Sequence, residues 1–269
     1  MVLKSKKILL VTYGLCRGAG VSKENYRTTI IDPLESYNCE IDCIHIIKNE
    51  VSNKDAELEP MKFTTRDRAY FASEEALSDN DLYEYSKKFH DKHSDNYLSN
   101  RYLINQLSKL YMATKLRNFY DYEAIILVRD DLCFEERPIN WRLILYLINF
   151  GPVVSKWFWN GGASERFVAA TPEDAYKIAT RKQFAAESIK LFGCLNGEYL
   201  QKFIFDYYKM RPLALSLRFC RVRKGRKLYK ERYIYPIWRP RECCHVIISM
   251  TRVMRLKIYF YFGLGTRKI

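Results

Sequence analysis

Residues 124–134 read AIILVRDDLCF. Five apolar residues lead into Arg129, Asp130 and Asp131, and the apolar character then resumes. A buried strand excludes unpaired charge, and neighbouring carboxylates repel each other unless something positive lies between them. The stretch therefore predicts a buried strand that ends at Arg129. Either the chain surfaces and turns there, or the end of the strand holds a metal ion or a phosphate.

The segments on the N-terminal side of this strand predict an alternation of strands and helices. Residues 98–119 carry leucines at three- and four-residue spacing and predict a long helix that leads directly into the strand. Residues 8–15 and 40–47 are apolar runs typical of buried strands, and residues 22–36 between them have a helical pattern. A strand, a helix and a strand within about 40 residues indicate a right-handed βαβ unit on a parallel sheet.

The remaining chain continues the same plan. Residues 50–96 are polar, acidic and irregular, which predicts a variable loop or insertion. Residues 1–225 are therefore expected to form a single α/β domain with a mostly parallel central sheet flanked by helices, followed by a basic, aromatic C-terminal extension at 226–269. Further helices are predicted at 141–148, 171–191 and 197–210, and further strands at 153–159, 167–170 and 213–222.

The positive charge of the chain is concentrated near its C-terminus. Residues 211–269 contain 16 Lys and Arg but only 2 Asp and Glu, which accounts for the whole net charge of +14. The body of the protein is therefore neutral, which argues against a nucleic-acid-binding surface on it. The basic segment itself could contact nucleic acid, anionic lipid or a phosphorylated substrate.

The cysteines and the apolar runs indicate where the protein works. Eight cysteines form no CxxC pair and no zinc-ligand spacing with the four histidines, which favours free thiols in a reducing compartment such as the cytoplasm. Residues 1–15 lack the long apolar region of a signal peptide and predict a first strand. No window reaches the roughly 18–20 apolar residues that a membrane span needs.

Two predicted strand ends carry groups suited to a ligand. Tyr13-Gly14 closes the first strand and is followed by Arg17, whose guanidinium suits a phosphate. Asp130 and Asp131 could hold a hard cation together with a diphosphate. Adjacent residues of a strand point to opposite faces, so only one of this pair can enter a site unless the backbone turns. The spacing does not decide which one.

The chain resembles a family of GT-A-type, nucleotide-sugar-dependent glycosyltransferases found in bacteria, algae and large DNA viruses. The resemblance spans about residues 7–225 and rests on motifs in order. These are Tyr13-Gly14-x-x-Arg17, Ile31-Asp32-Pro33-Leu34, Asp42-x-x-His45, Arg129-x-Asp131-Leu132-x-Phe134, Gly161-Gly162-x-x-Glu165-Arg166-Phe167, Asp174-Ala175-Tyr176, Glu198-x-Leu200 and Arg221-Val222-Arg223-x-Gly225.

The resemblance implies a GT-A-like fold, a nucleoside-diphosphate sugar as donor and a glycan or polysaccharide hydroxyl as acceptor. It implies catalytic roles for Asp131 and Glu165, with Asp174 and Glu198 as further candidates for the base. Asp131 would also be the ligand of Mn²⁺ or Mg²⁺. The donor would be bound by Tyr13, Gly14, Arg17, Arg129, Asp130 and Arg166.

Two positions depart from the pattern of the family. The usual D-x-D is absent because Arg129 stands two residues before Asp131, so Arg129 itself could neutralise the diphosphate. Ser164-Glu165 stands where family members carry Asn-Asp, which makes the acidic side chain one methylene longer.

An alternative function uses the basic segment rather than the strand ends. Cations and aromatic residues alternate there, which suits phosphate contacts and base stacking, or peripheral contact with a membrane. The protein would then be a nucleic-acid- or membrane-associated binding protein. If a virus encodes the chain, the protein would work in the cytoplasm of the host cell.

Overall fold

The computed structural model describes residues 5–14, 19–48, 63, 67–135, 139–155, 163–215, 217–223, 227–230, 251, 252 and 254. Most of the predicted C-terminal extension, 226–269, therefore lies outside the described residues. So do Arg17 and the Gly161-Gly162 turn, whose predicted roles stay predictions.

Ten strands and nine α-helices make up the described part of the chain. The strands are β1 (Lys6–Tyr13), β2 (Cys39–Lys48), β3 (Arg68–Ala72), β4 (Ala124–Arg129), β5 (Leu132–Phe134), β6 (Val153–Ser155), β7 (Phe167–Ala170), β8 (Leu213–Leu215), β9 (Phe219–Arg223) and β10 (Lys227–Lys230). The helices are α1 (Ala19–Tyr26), α2 (Asp32–Ser36), α3 (Glu74–Leu77), α4 (Asn80–Ser86), α5 (Leu98–Leu116), α6 (Trp141–Leu147), α7 (Pro172–Ala179), α8 (Ala185–Phe192) and α9 (Gly197–Tyr207).

Seven strands form the central sheet in the order β3-β2-β1-β4-β7-β6-β8. The pairs β2–β3, β1–β2, β1–β4 and β6–β8 are parallel, whereas β7 runs antiparallel to both β4 and β6. Six strands thus run one way and β7 alone runs the other. The predicted fold class, a mostly parallel α/β sheet flanked by helices, is confirmed.

Both faces of this sheet are covered. Along β1, Ile8 and Leu10 pack into one hydrophobic cluster with helix α6, whereas Leu9 and Val11 pack into another with α5, α7 and α9. Alternate side chains of a strand point to opposite faces, so a strand covered on both faces must be apolar throughout. This explains the continuous apolar runs of β1 and β4, in which Ile8–Val11 and Ile125–Val128 are at most 1% exposed.

The reversed direction of β7 determines which residues share an edge of the sheet. β1 and β4 end at Tyr13 and Arg129, and the residue pair Val128–Phe167 places the beginning of β7 beside the end of β4. The carboxyl ends of β1 and β4 therefore meet the amino end of β7. A second sheet, in the order β10-β9-β5, continues from this edge, because β5 follows β4 after two residues.

Three of the predicted segments differ from the structure. The irregular 50–96 region contains the parallel strand β3 and the short helices α3 and α4. The predicted helix at 171–191 is interrupted by a 3₁₀ turn at Arg181–Phe184, and the predicted strand at 213–222 is divided between β8 and β9. β8 extends the central sheet whereas β9 belongs to the small one, so a single straight strand could not serve both.

Among the described residues, no helix combines the length and the apolar character that crossing a membrane requires.

Candidate active site

Three chain segments meet at the edge where β1 and β4 end. The Asp130 N–H donates to the Tyr13 carbonyl over 2.8 Å, and the Arg129 N–H donates to the Arg166 carbonyl over 3.1 Å. Parallel sheets present ligand sites at the carboxyl ends of their strands, and β7 adds residues from its amino end because it is reversed. The predicted site residues Tyr13 at the end of β1, Arg129 and Asp130 at the end of β4, and Arg166 just before β7 are thus brought together.

Arg129 and Asp131 form a two-pronged ion pair. Nε of Arg129 donates to Oδ1 of Asp131 over 2.9 Å, and Nη2 donates to Oδ2 over 2.8 Å. Arg129 is 8% exposed and Asp131 is 4% exposed, so water screens this pair weakly. Burial disfavours the charge of Arg129, but Asp131 and Glu165 raise the pKa of its guanidinium above the usual value.

Glu165 lies between two arginines. Its Oε1 is 3.6 Å from Nη1 of Arg129, and its Oε2 is 3.7 Å from Nη2 of Arg181. These separations are those of ion pairs, and Oε2 makes no hydrogen bond to any described residue. The carboxylate also packs closely against Gly197, the first residue of α9. A Cβ built on Gly197 would lie 2.1 Å from Oε2 of Glu165.

Burial controls the protonation of this carboxylate. Burial, followed by the nearby Glu198, raises the pKa of Glu165, although Arg129, Arg181 and Arg166 oppose the shift. Burial and the neighbouring Arg129 lower the pKa of Arg166. A buried carboxylate with a raised pKa is a stronger base than one in water, which suits a group that takes a proton.

The side chains of Asp130 and Asp131 point in different directions because the backbone turns after β4. Asp130 is 0% exposed, and its Oδ2 is 3.4 Å from Nε2 of the equally buried His45. Its other oxygen faces Gly14, where an added Cβ would lie 2.2 Å away. Lys109 of α5 donates to the Gly14 carbonyl. Asp130 is thus enclosed beneath the β1 turn, while Asp131 faces Arg129.

Two tyrosine hydroxyls fix the surrounding backbone. Tyr13 donates to the Glu165 carbonyl, and Tyr26 donates to the Arg129 carbonyl. Tyr13 is 1% exposed, and its burial raises its pKa to about 12, so its hydroxyl is a donor at neutral pH. The predicted nucleotide-contacting residue Tyr13 is therefore also a structural link between β1 and the residue before Arg166.

The carboxylates of the site offer a divalent cation few ligands. Both oxygens of Asp131 are hydrogen-bonded to Arg129. The described residues contain no group of three or more His, Cys, Asp or Glu that could hold a metal ion. Mg²⁺ is usually bound through one or two carboxylates together with substrate phosphates, and the carboxylate of Asp131 is here paired with a buried guanidinium. The described residues do not fit the metal site that the resemblance implies.

Several residues of the site carry no recognisable signal in the sequence. Arg181 belongs to the 3₁₀ turn that interrupts the predicted helix, and it donates to the Ile178 carbonyl at the end of α7 while approaching Glu165. Gly197 and Lys109 are likewise apparent only from their contacts. Asp174, a candidate base, follows the far end of β7 and lies at the opposite edge of the sheet.

A cavity of about 590 Å³ lies beside α4 and α5. Its lining includes Tyr85 and Tyr111 together with Asp79, Lys182 and Gln183. Lys182 directly follows Arg181 in the chain, and its ammonium group pairs with Asp79 over 2.9 Å, whereas Arg181 approaches Glu165.

The comparisons with known proteins give a structural likeness and no likeness in sequence. No protein-family model matches the chain, and no curated protein matches it. A solved structure that it resembles is the apo form of mouse xyloside xylosyltransferase 1, with a TM-score of 0.45 and 12% identity. The likeness covers 78% of this chain and 84% of the mouse chain.

Proposed function

We propose that the protein is a glycosyltransferase that moves a sugar from a nucleoside-diphosphate donor to a hydroxyl of a glycan or polysaccharide. One observation carries the proposal. The Arg129–Asp131 pair and Glu165 lie at the same strand edge as Tyr13 and Gly14, in a mostly parallel sheet. That edge is where such sheets bind ligands, and it is where the family pattern expects the donor.

The reaction needs two things from the protein. The bond between the anomeric carbon and the phosphate oxygen breaks, and the departing nucleoside diphosphate keeps the electron pair and its negative charge. Arg129 and Arg166 are proposed to stabilise that charge, because guanidinium groups bind phosphate oxygens in pairs. The new bond forms between the anomeric carbon and the acceptor oxygen, whose proton must be removed.

Glu165 is the group proposed to take that proton when the configuration of the sugar is inverted. Its raised pKa makes it a better base than an exposed carboxylate. Glu198 is half-buried near it and helps to raise that pKa, so it is an alternative acceptor of the proton. Asp174 is excluded from the role because it lies at the other edge of the sheet.

The donor and the acceptor are proposed to occupy neighbouring regions. Tyr13, Gly14 and Arg17 would bind the nucleotide, and Asp130 would act from beneath by holding the Gly14 turn. The cavity beside α4 and α5 offers two tyrosines among acid, amide and ammonium groups. Such a lining can both donate to and accept from sugar hydroxyls, which suits an acceptor glycan.

The direct test is a thermal-shift screen of nucleoside diphosphates and nucleotide sugars, followed by an assay of donor hydrolysis. The proposal expects one nucleoside diphosphate to raise the Tm of the full chain, because a ligand that binds only the folded state stabilises it. It also expects slow hydrolysis of the matching nucleotide sugar. If no member of the screen raises the Tm, the proposal is overturned.

A further inference from the structure

We infer that Arg129 takes the place of a divalent cation, so that the donor diphosphate is bound and stabilised without Mn²⁺ or Mg²⁺. The inference rests on the proposed function and adds to it how the charge of the leaving group is neutralised. It is carried by the contacts of Arg129 and not by any property of the family, in which the resemblance implies a metal at Asp131.

The charge of Asp131 is already neutralised. Arg129 contacts both carboxylate oxygens of Asp131, at 2.9 and 2.8 Å, inside the protein. A cation bound to the remaining lone pairs of Asp131 would lie beside the buried guanidinium of Arg129. Like charges that close together in a buried site are strongly unfavourable. The pair therefore resists a metal at this position.

Arg129 also retains hydrogen-bond donors for a ligand. A guanidinium carries five N–H donors in a planar fork. In the part of the chain that the structure describes, two of those donors are hydrogen-bonded, and both bonds go to Asp131. Glu165 lies 3.6 Å from Nη1, which is an electrostatic contact and leaves the N–H groups there available. These N–H groups can donate to diphosphate oxygens.

The charges of the cluster are balanced, because it contains three guanidinium groups and three carboxylates: Arg129, Arg166, Arg181, Asp131, Glu165 and Glu198. Oε1 of Glu165 lies 3.6 Å from Nη1 of Arg129, and its Oε2 lies 3.7 Å from Nη2 of Arg181. Protonation of Glu165, by the acceptor in the reaction or from solvent, leaves the cluster with an excess positive charge. That excess positive charge arises when the diphosphate departs. The cluster can therefore compensate the negative charge of the leaving group.

The experiment measures binding of the nucleoside diphosphate found in the screen, by titration calorimetry on the full chain, in excess EDTA and again in Mn²⁺. We expect dissociation constants that agree within about twofold. If the nucleoside diphosphate binds only with Mn²⁺, the inference is overturned while the proposed function stands. If no nucleoside diphosphate binds under either condition, the proposed function fails, and the inference fails with it.

Variants identify the residue responsible. Arg129→Gln is expected to weaken binding in EDTA by about tenfold to a hundredfold, the usual worth of hydrogen bonds to a charged group. Since this variant leaves Asp131 buried without its partner, Arg129→Gln combined with Asp131→Asn provides a neutral pair of similar shape that can fold. The same weakening is expected in the double variant. Unchanged binding there would contradict the inference.

A gain-of-function variant completes the test. Arg129→Asp places a second carboxylate two residues before Asp131, the spacing of the D-x-D that the family uses. Binding in this variant is expected to be weak in EDTA and to be restored by Mn²⁺. The control is Arg142→Gln, which replaces an exposed arginine that stacks on Tyr37. This variant should bind the nucleoside diphosphate as tightly as the wild type does. Equal binding of Arg129→Asp in EDTA and Mn²⁺, at wild-type strength, would overturn the inference.

Discussion

Gly14 and Asp130 are packed so closely that neither position accepts a larger group. A Cβ on Gly14 would lie 2.2 Å from Oδ1 and 2.8 Å from Cγ of Asp130, and the φ angle of Gly14 is +147°. Asp130 is held in turn by its contact with His45. The turn that ends β1 therefore depends on a glycine and on a carboxylate that solvent does not reach.

Gly14→Ala should destabilise the protein by about 3 kcal/mol, because it combines a strained backbone angle with a clash against a buried side chain. Urea unfolding followed by circular dichroism measures the loss. Gly193→Ala is the matched control: its φ is also positive, +74°, but nothing lies within 4 Å of the added Cβ. We expect that control to lose about 1 kcal/mol. Equal losses would show that the contact with Asp130 is unimportant.

Gly197→Ala should have opposite effects in two backgrounds. In the wild type the added methyl group meets the Glu165 carboxylate, at 2.1 Å from Oε2, and should cost about 2 kcal/mol. In a Glu165→Ala background the obstacle is gone, and alanine should be neutral or stabilising because it favours a helix more than glycine does. The four free energies of unfolding form a double-mutant cycle. A cycle without coupling would refute the contact.

Asp131→Ala should destabilise the protein by about 3 kcal/mol, because it leaves the buried guanidinium of Arg129 without its partner. The same unfolding measurement on Arg129→Gln with Asp131→Asn should recover most of that loss. Glu84→Ala serves as a surface control, since its ion pair with Lys87 is exposed and its removal should cause no measurable change. An Asp131→Ala variant as stable as the wild type would show that the ion pair does not contribute.

The stability of the protein should depend on pH through Glu165. Its pKa is raised on folding, so the folded state binds this proton more tightly than the unfolded state does. The contribution of Glu165 is therefore most favourable at low pH and is lost as the pH rises from the unfolded value, about 4.3, through the folded pKa.

Glu165→Gln removes this titration and provides the comparison. The free energy of unfolding of the wild type, minus that of Glu165→Gln, should fall as the pH rises through this window and then level off. A difference that stays constant or increases with pH would mean that the arginines outweigh burial. In a transfer assay the acid limb of kcat/KM should also disappear from the pH profile of the variant, provided that Glu165 is the base.

The sequence predicts the elements of this fold better than it predicts their contacts. β1, β4 and β7 are apparent from apolar runs, because burial on both faces leaves no room for polar residues. The sequence does not indicate a strand at residues 68–72, because β3 lies at the sheet edge, where its burial pattern is mixed and its composition is not that of a core strand.

The candidate site shows the same difference between what the sequence predicts and what only the contacts reveal. The spacing could not decide between Asp130 and Asp131, because the turn after Arg129 decides which way each side chain points. Arg181 was missed because residues 171–191 have a continuous helical pattern, and only the 3₁₀ turn directs that side chain toward Glu165. Close approaches such as Gly197 to Glu165 depend on packing between distant elements, and no local pattern encodes them.

The pairing of β5 with β9 fixes where the chain can be cut. The Val222 N–H donates to the Asp131 carbonyl over 2.7 Å, so β9, a strand within the basic segment, also supports the site. A truncation at residue 210 would remove β8, β9 and β10 and would damage the site for structural reasons alone. A deletion of residues 231–269 still removes half of the 16 basic residues of 211–269 and keeps these strands. That boundary separates a role of the basic segment in binding from its role in folding.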